Sequence, residues 1–461
     1  MQVVFDKVKK PERHSGYLPV NLTKETMAEH RKTILGKMAE QNLDVLLVYA
    51  DREHGSNYAY LTGFEPRFEE SVLVLHRDGS CYLLLGNENL KMQKYSFIDA
   101  KAVHVPHFSL PNQPMETEKT LEQLFEEAGI CDGMNIGCAG WKLFTSRLDV
   151  NENMIDLPAF MVDAVRRVNG NGTLKHAAGI FLDPESGARV LMNANEIAHY
   201  EYGAGLASAC ILDVLDEIEV GKTELELAAK LAPDGQPTNV TTICATGERF
   251  VDAVVFPRNK KVQLGDKFSL TLGLRGGLTS RAGYAVKETS ELEESVRDYV
   301  DKVVKPYYRA AVTWYETVGI GVSCQTVYDT INEVLPKADY HWTLNPGHYT
   351  GQDEWVGSPM FPGTKAVLQS GMMLQMDIIP SVAGYAGVSV EDGIAIADEK
   401  LREELKTLYP ETWKRIEARR RYMQEELGIH LKDEILPMSD ACGYLRPYLL
   451  NKEEAMKKAK E

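Results

Sequence analysis

Short apolar runs alternate with helical segments through the first part of the chain. A helical pattern from Lys24 to Asn42 precedes the apolar run Asp44 to Ala50, and two further runs, 71–76 and 81–85, are joined across the tight turn 77–80. A strand at 101–105, a helix at 116–128 and a strand at 134–138 continue the alternation. This pattern predicts an α/β domain over residues 1–175, with the breaker cluster Asn169 to Gly172 marking its end.

Long helices and extended segments alternate in the rest of the chain. Asn193 with Glu196 forms a capping pair ahead of a long apolar helix that ends before Gly221, and a second helix begins at Thr223. Further helical patterns cover 291–317 and 323–335, and extended segments cover 267–274, 278–286, 372–380 and 388–397. We therefore expect an α+β domain over 176–400, followed by an ordered helical extension over 401–461 with a charged helix at 400–427.

Charge and hydropathy restrict the partners of this chain. Its 67 acidic and 51 basic residues give a formal net charge of −16, which repels nucleic acid and anionic lipid. Apolar runs are strand-sized, and the first ten residues lack the apolar stretch of a signal peptide. Seven cysteines at scattered spacings, without a CxxC, are typical of reduced thiols. These features predict a cytoplasmic protein that binds a small molecule or short peptide, with no nucleic-acid or membrane partner.

Three separated motifs resemble the creatinase, prolidase and aminopeptidase P ("pita-bread") family. The first is Asn57-Tyr-Ala-Tyr-Leu-Thr-Gly-Phe64, and the second runs from Asn195 through the segment 220–228. The third and most specific is a late trio, at 347–351, 370–377 and 387–392. The resemblance covers roughly residues 20–400 and implies a creatinase-type α/β N-terminal domain, a pita-bread α+β C-terminal domain and a homodimer.

In metal-dependent members of that family two aspartates, one histidine and two glutamates hold two divalent ions. Carried over position by position, the first aspartate becomes Thr271 and the second falls on Ala282, whereas the histidine is kept as His348. The glutamates become Asp377 and Glu391. Adjacent dications need bridging carboxylates, which a hydroxyl and a methyl group cannot replace. We therefore expect no metal pair and assign no cofactor.

The neighbouring Arg281 has two alternatives. If it faces the site, its charge excludes a cation and pairs with Asp377 or Glu391, but strand alternation equally allows the opposite face. Creatinase, the metal-independent branch of the family, uses a histidine whose place here lies near Val254, so creatine is a doubtful substrate.

The resemblance implies that His348, Asp377 and Glu391 form the catalytic set. A histidine beside two carboxylates has a raised pKa and can move a proton at a carbon–nitrogen bond. The alternatives are a structural histidine, carboxylates that only partner Arg281 or His348, and one weakly held metal ion on all three. The residues predicted to bind substrate or line the pocket are Thr271, Arg281, Tyr284, His341, Tyr349 and Trp355. Cys244 is either a nucleophile or core filling, and Trp342 either an aromatic wall or ordinary packing.

Three functions remain open from the sequence. The leading hypothesis is a hydrolase that cleaves a carbon–nitrogen bond of a small substrate without a dinuclear metal centre. The alternatives are a non-catalytic ligand-binding or scaffolding pseudoenzyme of the same fold and a proline-specific (Xaa-Pro) aminopeptidase with a degraded metal site.

Overall fold

The structure is a computed structural model that describes residues 1–116, 118–248 and 256–459. It divides into two compact units, one formed by Leu22–Val190 and the other by Met1–Asn21 together with Leu191–Glu461. We call these the 22–190 unit and the 191–461 unit. The predicted domains, 1–175, 176–400 and 401–461, differ from this division, because the first 21 residues and the last sixty lie in the same unit as 191–400.

The 22–190 unit is a mixed sheet with helices. Its strand order is β5-β4-β3-β2-β6-β7, in which β2, β6 and β7 are parallel neighbours and β3 is antiparallel to both β2 and β4. Its elements are α1 (Lys24–Glu40), β2 (Val45–Ala50), α2 (Ser56–Thr62), β3 (Ser71–His76), β4 (Cys81–Leu85), β5 (Lys101–His104), α3 (Leu121–Glu127), β6 (Asn135–Ala139), α4 (Ala159–Asn169), β7 (Thr173–His176) and α5 (Gly179–Leu182); β1 belongs to the other unit.

The predicted α/β character of this unit is confirmed, and local chemistry explains most of its boundaries. Strands β3 and β4 have the predicted bounds because their apolar residues lie on either side of the short polar turn at 77–80. Helix α3 begins only at Leu121, later than the predicted 116, because Thr120 and Gln123 form a capping box there. The predicted end marker at 169–172 is instead a turn inside the unit, since β7 after it pairs with β6.

The 191–461 unit carries the predicted α+β elements. Its large sheet has the order β11-β12-β13-β10-β9-β8, with β14 also pairing with β13, and all these pairs are antiparallel. Its elements are β1 (Val3–Lys7), α6 (Ala194–Glu217), α7 (Glu224–Ala228), β8 (Ile243–Thr246), β9 (Lys267–Leu274), β10 (Gly277–Tyr284), α8 (Lys305–Thr317), α9 (Cys324–Val334), α10 (Lys337–Tyr340), β11 (His348–Tyr349), β12 (Met373–Met376), β13 (Ser389–Ile396), α11 (Glu399–Leu408), α12 (Pro410–Arg421), β14 (Ile435–Pro437) and β15 (Glu454–Lys458).

Helix α6 packs against strands β9 and β10, which form a hairpin. The predicted capping box of Asn193 and Glu196 starts this helix. The backbones approach closely: a Cβ on Gly203 would lie 1.8 Å from the carbonyl oxygen of Arg275, and one on Gly276 would lie 1.9 Å from that of Tyr200. Gly276 also has φ +114°, so the turn requires glycine for both reasons.

The last sixty residues are part of this unit rather than a separate helical extension. The charged helix predicted over 400–427 is two α-helices, α11 and α12, because Pro410 cannot continue α11 and instead begins α12. Strand β14 joins the large sheet beside β13, and β15 pairs with β1. The tail is therefore ordered, as predicted, but it is built into the sheet.

Two general predictions can be compared with the structure directly. All seven cysteines are free thiols. Among the described residues no helix combines the length and apolar character needed to cross a bilayer.

Candidate functional site

Three strands of the large sheet align polar side chains on one face. Ser280 on β10 is paired with Thr271 on β9 and, on its other side, with Glu391 on β13. The hydroxyl oxygens of Thr271 and Ser280 are 2.9 Å apart and share a hydrogen bond. A row of hydroxyl, hydroxyl and carboxylate therefore crosses the sheet.

The strand register adds a second hydroxyl to the site beside the Ala282 position, to which the resemblance carried the second aspartate. The β9–β10 hairpin turns at 275–276, which places Thr271 opposite Ser280 and not opposite Ala282. Ala282 lies two residues further along the strand, between Ser269 and Ser389. The side chain between Thr271 and Glu391 is thus a hydroxyl rather than a methyl group.

The structure also decides the direction of Arg281, which lies on the opposite face of the sheet. Its guanidinium is buried and forms a 2.7 Å ion pair with Asp392, the neighbour of Glu391. The other N–H groups donate to backbone carbonyls, including those of Ala441 and Tyr444. Of the two directions that the sequence left open for Arg281, the structure shows the one away from the site, because side chains alternate along β10. Arg281 therefore does not pair with the side chain of Asp377 or Glu391, and its predicted role in binding substrate is wrong.

His348 begins β11 and is fully buried. Its Nδ1–H donates to the carbonyl oxygen of Tyr349 at 3.1 Å, which leaves Nε2 as the nitrogen that faces the other site residues. Nε2 lies 3.1 Å from Oε1 of Glu354, 3.8 Å from Oδ2 of Asp377 and 4.0 Å from Oε1 of Glu391. One imidazole nitrogen is therefore surrounded by three carboxylates.

The structure brings together the three residues predicted to be catalytic. Asp377 follows β12 and Glu391 lies on β13, and the sheet places both beside His348 on β11. One ligand-type atom from each of His348, Asp377 and Glu391 lies within 4.8 Å of the others. Such a group can exchange protons with a substrate or hold one cation.

Burial and charge shift the pKa values of this cluster upward. Burial disfavours the charged imidazole, but contact with Glu354 and the charge of Asp377 outweigh it, so the pKa of His348 is raised. Burial raises the pKa of Asp377 to about 6, with His348 acting against the shift. Burial, then the charges of Asp377 and Glu354, raise the pKa of Glu391 well above its usual value.

Glu354 is a site residue that the sequence analysis missed. It lies in the loop after β11, which is closed at its base by backbone pairing of Tyr349 with Gly357. The next residue, Trp355, stacks on the His348 ring with centroids 4.2 Å apart and an interplanar angle of 22°. Trp355 was predicted to line the pocket. Its direct neighbour in the sequence is acidic, and that was the signal that could have indicated Glu354 as a site residue.

Other predicted pocket residues have contacts elsewhere. The hydroxyl of Tyr284 accepts the backbone N–H of Ala386, and its ring packs edge-to-face on Tyr299. His341 is exposed, in a left-handed conformation at the end of α10. The buried hydroxyl of Tyr349 is near the sulfur of Met372. The indole of Trp342 donates to the carbonyl oxygen of Leu335 inside the core, as its structural alternative predicted.

Two further predictions concern nucleophile and histidine positions. Burial raises the pKa of Cys244 to about 12, so its thiol is protonated near neutral pH and poorly suited to nucleophilic attack. Val254, the place of the histidine in the metal-independent branch, lies outside the described residues.

Two family models match this chain in sequence. The Creatinase/Prolidase N-terminal domain matches residues 31–168, and Metallopeptidase family M24 matches residues 198–398. The order of the two matches is that of the two domains predicted from the motifs. The chain belongs to the creatinase, prolidase and aminopeptidase P family. The pita-bread fold predicted for its second domain is confirmed.

Three similar proteins share 22%, 17% and 13% sequence identity with this chain. An Xaa-Pro dipeptidase from Pyrococcus furiosus is 22% identical over 231 residues, 48% of this chain and 64% of the dipeptidase, which is less than two thirds of its length. The prolidase structure from Pyrococcus horikoshii has a TM-score of 0.61 at 17% identity, covering 80% of this chain and 95% of the prolidase. An X-Pro aminopeptidase from Thermotoga maritima has a TM-score of 0.59 at 13% identity, covering 80% and 95%.

The donor set does not suit a pair of divalent ions. The positions beside Glu391 offer the Thr271 and Ser280 hydroxyls, which are already hydrogen-bonded to each other. Bridging two dications requires anionic oxygens to offset their mutual repulsion, and neither hydroxyl supplies one. A single ion fits better, because His348, Asp377 and Glu391 offer one nitrogen and two carboxylates.

Proposed function

We propose that this chain is a hydrolase that cleaves a carbon–nitrogen bond in a small substrate without a dinuclear metal centre. The observation that carries the proposal is the buried His348 imidazole, whose Nε2 faces three carboxylates while its Nδ1–H is held by a backbone carbonyl. This arrangement favours a charged imidazole, which can donate a proton from Nε2.

The proposed chemistry uses side chains that the sheet already aligns. His348 donates its Nε2 proton to the leaving nitrogen as the carbon–nitrogen bond breaks, and water supplies the oxygen to the carbon. Asp377, with a pKa of about 6, is suited to accept the proton of that water. Glu391 orients the substrate, and the hydroxyls of Thr271 and Ser280 offer neutral hydrogen-bonding partners beside it.

The experiment compares two histidines from the same segment. His348→Asn and His341→Asn variants are incubated, in buffer containing EDTA, with a panel of small amides and ureas, and products are identified by mass spectrometry. We expect the wild type and H341N to release product and H348N to be slower by at least about a hundredfold, the scale of a lost general acid. Equal rates for H348N and H341N would contradict the proposal.

A second candidate rests on the 4.8 Å cluster, which could hold one metal ion in a dipeptidase like the Pyrococcus relative. In that case His348, Asp377 and Glu391 would be its ligands, and the ion would polarise the scissile carbonyl group. Isothermal titration with Mn²⁺ separates the two candidates. Tight binding of one ion that H348N abolishes, with cleavage of Xaa-Pro dipeptides only when Mn²⁺ is present, would favour this candidate over the first.

The non-catalytic alternative has a distinct outcome in the same assays: a ligand that stabilises the chain and is recovered unchanged would favour a binding protein.

We also infer from the family resemblance that the chain forms a homodimer, which light scattering on the protein as it elutes from a gel-filtration column tests. The cytoplasmic location remains a prediction from the sequence.

A further inference from the structure

A row of four polar side chains crosses the large sheet through the site. Ser280 on β10 pairs with Glu391 on β13 and with Thr271 on β9. Extending the register of β12 with β13 by one residue places Asp377 opposite Glu391. Paired residues of neighbouring strands present their side chains on the same face of a sheet. The row therefore changes from two carboxylates beside His348 to two hydroxyls at its other end.

The two hydroxyls have one hydrogen atom that remains available for a ligand. Their oxygens are 2.9 Å apart and share one hydrogen bond, and within the part of the chain that the structure describes neither hydroxyl forms another. Each hydroxyl carries one hydrogen atom, so one of the two has no acceptor there. Thr271 is 8% exposed, whereas Ser280 is partly exposed and lies one strand nearer to Glu391. Ser280 is therefore the better placed to donate to a ligand while Thr271 donates to Ser280.

A hydroxyl donor at this end of the row complements the proton-transfer groups at the other end. Hydrolysis of an amide moves negative charge onto the carbonyl oxygen, and a fixed donor aimed at that oxygen stabilises the charge. A pair of divalent ions, which this donor set does not suit, would do the same. Two strand spacings, about 10 Å, separate the backbone of Ser280 from that of Asp377, which leaves room for a small amide between their side chains.

We propose that Ser280, oriented by a hydrogen bond from Thr271, is a further catalytic residue that donates its hydroxyl hydrogen to the carbonyl oxygen of an amide substrate. The proposal rests on the proposed hydrolase function and assigns to Ser280 the stabilisation of charge on that oxygen.

The reaction balances with the groups of this row. The oxygen of water bonds to the amide carbon, its proton passes to Asp377, and the π electrons of the carbonyl group move onto the oxygen that Ser280 holds. When that oxygen re-forms the carbonyl group, the carbon–nitrogen bond breaks. The nitrogen keeps the electron pair and takes the proton of His348. The proton held by Asp377 then returns the imidazole to its charged form.

Steady-state kinetics in EDTA-containing buffer test this role, on the amide of the panel that the wild type cleaves fastest. Ser280→Ala should lower kcat about a hundredfold, the scale of one lost oxyanion donor, and change KM less than about threefold. Thr271→Val removes only the group that orients Ser280 and should lower kcat about tenfold. Ser280→Thr and Thr271→Ser keep the hydroxyls and should recover most of each loss. Ser269→Ala, two residues from Thr271 on the same strand, is the matched control and should stay within about twofold of the wild type.

A spectroscopic measurement tests the hydrogen bond without turnover. Acetamide that carries an isotopic label at its carbonyl carbon is added to each variant, and isotope-edited infrared spectra give the stretching frequency of the bound carbonyl group. A hydrogen bond from Ser280 weakens the carbon–oxygen double bond, so the frequency should be lower on the wild type and on S269A than on S280A. The same frequency on the wild type and on S280A, or no shifted band on the wild type, would overturn the proposal.

Two kinetic outcomes would also overturn it. One is an equal kcat for S280A and S269A, and the other is a loss confined to KM, which would mean that Ser280 binds substrate and transition state equally. Circular dichroism checks that each variant is folded. The proposed hydrolase function fails separately: a lowered carbonyl frequency that S280A abolishes, without cleavage of any amide, would retain the contact with Ser280 and remove the hydrolase function.

Discussion

The ion pair of Arg281 and Asp392 behind the site allows a quantitative prediction. Arg281 is 1% exposed and its guanidinium donates to Asp392 and to the backbone carbonyls of Ser280, Glu391, Ala441 and Tyr444. These bonds join β10, β13 and the segment after β14. Arg281→Met removes them all and leaves a buried carboxylate without its cation, so we expect the free energy of unfolding of the 191–461 unit to fall by about 3–5 kcal/mol.

Part of that loss comes from the unpaired charge and part from the carbonyls. Asp392 keeps hydrogen bonds from the hydroxyls of Ser439 and Thr279, so the R281M/D392N double variant, which also removes the charge, should recover roughly 1–2 kcal/mol relative to R281M. Arg281→Lys keeps the charge but has fewer, differently placed donors, and we expect an intermediate loss of about 2 kcal/mol.

Urea denaturation followed by tryptophan fluorescence measures these differences. Four of the five tryptophans, at 314, 342, 355 and 413, lie in the 191–461 unit, so the signal reports mainly on that unit. A free energy of unfolding for R281M within about 1 kcal/mol of the wild-type value would refute the reasoning, because the buried pair would then contribute no more than a surface pair. If R281K alone stays within about 1 kcal/mol of the wild type, the stabilisation by Arg281 comes from its charge and not from the geometry of its donors.

Two further predictions concern the metal deficit and pH. The double variant Thr271→Asp/Ser280→Asp supplies the missing carboxylates, so it should retain about two Mn²⁺ per chain after gel filtration, measured by mass spectrometry. The neutral control T271N/S280N should retain as much Mn²⁺ as the wild type. No gain of Mn²⁺ in the aspartate variant would contradict the charge argument. Burial alone would raise the pKa of Asp440, but Arg419 and then His14 more than offset it, so that pKa is lowered. Because the folded-state pKa lies below the unfolded one, the stabilisation from Asp440 is present above about pH 4 and is lost as pH falls through the folded value. D440N should therefore be less stable than the wild type at about pH 7, by roughly 2–4 kcal/mol, and this gap should shrink below about pH 4 in urea titrations; a constant gap would contradict the assignment.

Local patterns predicted much of the fold. Strands β3 and β4 and the start of α6 follow from apolar runs, turn residues and a capping pair, all of which act within a few residues. The division into units was harder, because β1 and β15 pair across most of the sequence, and nothing near residue 3 indicates a partner at residue 458.

The candidate site shows the same limit. The family resemblance indicated His348, Asp377 and Glu391, which the fold brings together. Counting residues carried the place of the second aspartate over to Ala282 and gave no sign that Ser280 pairs with Thr271, because strand register depends on where the hairpin turns. The sequence also could not decide which way Arg281 points. Glu354 was missed because its proximity to the imidazole depends on how the loop after β11 folds back.

The pairing of residues 3–7 with residues 454–458 also has a consequence for biosynthesis. On the ribosome the 22–190 unit is available to fold as soon as it has emerged, but β1 must wait unpaired while more than four hundred further residues are made. Val3 can be buried and the hydrogen bonds of β1 can form only after residue 458 has been made, so this pairing closes a loop of more than four hundred residues.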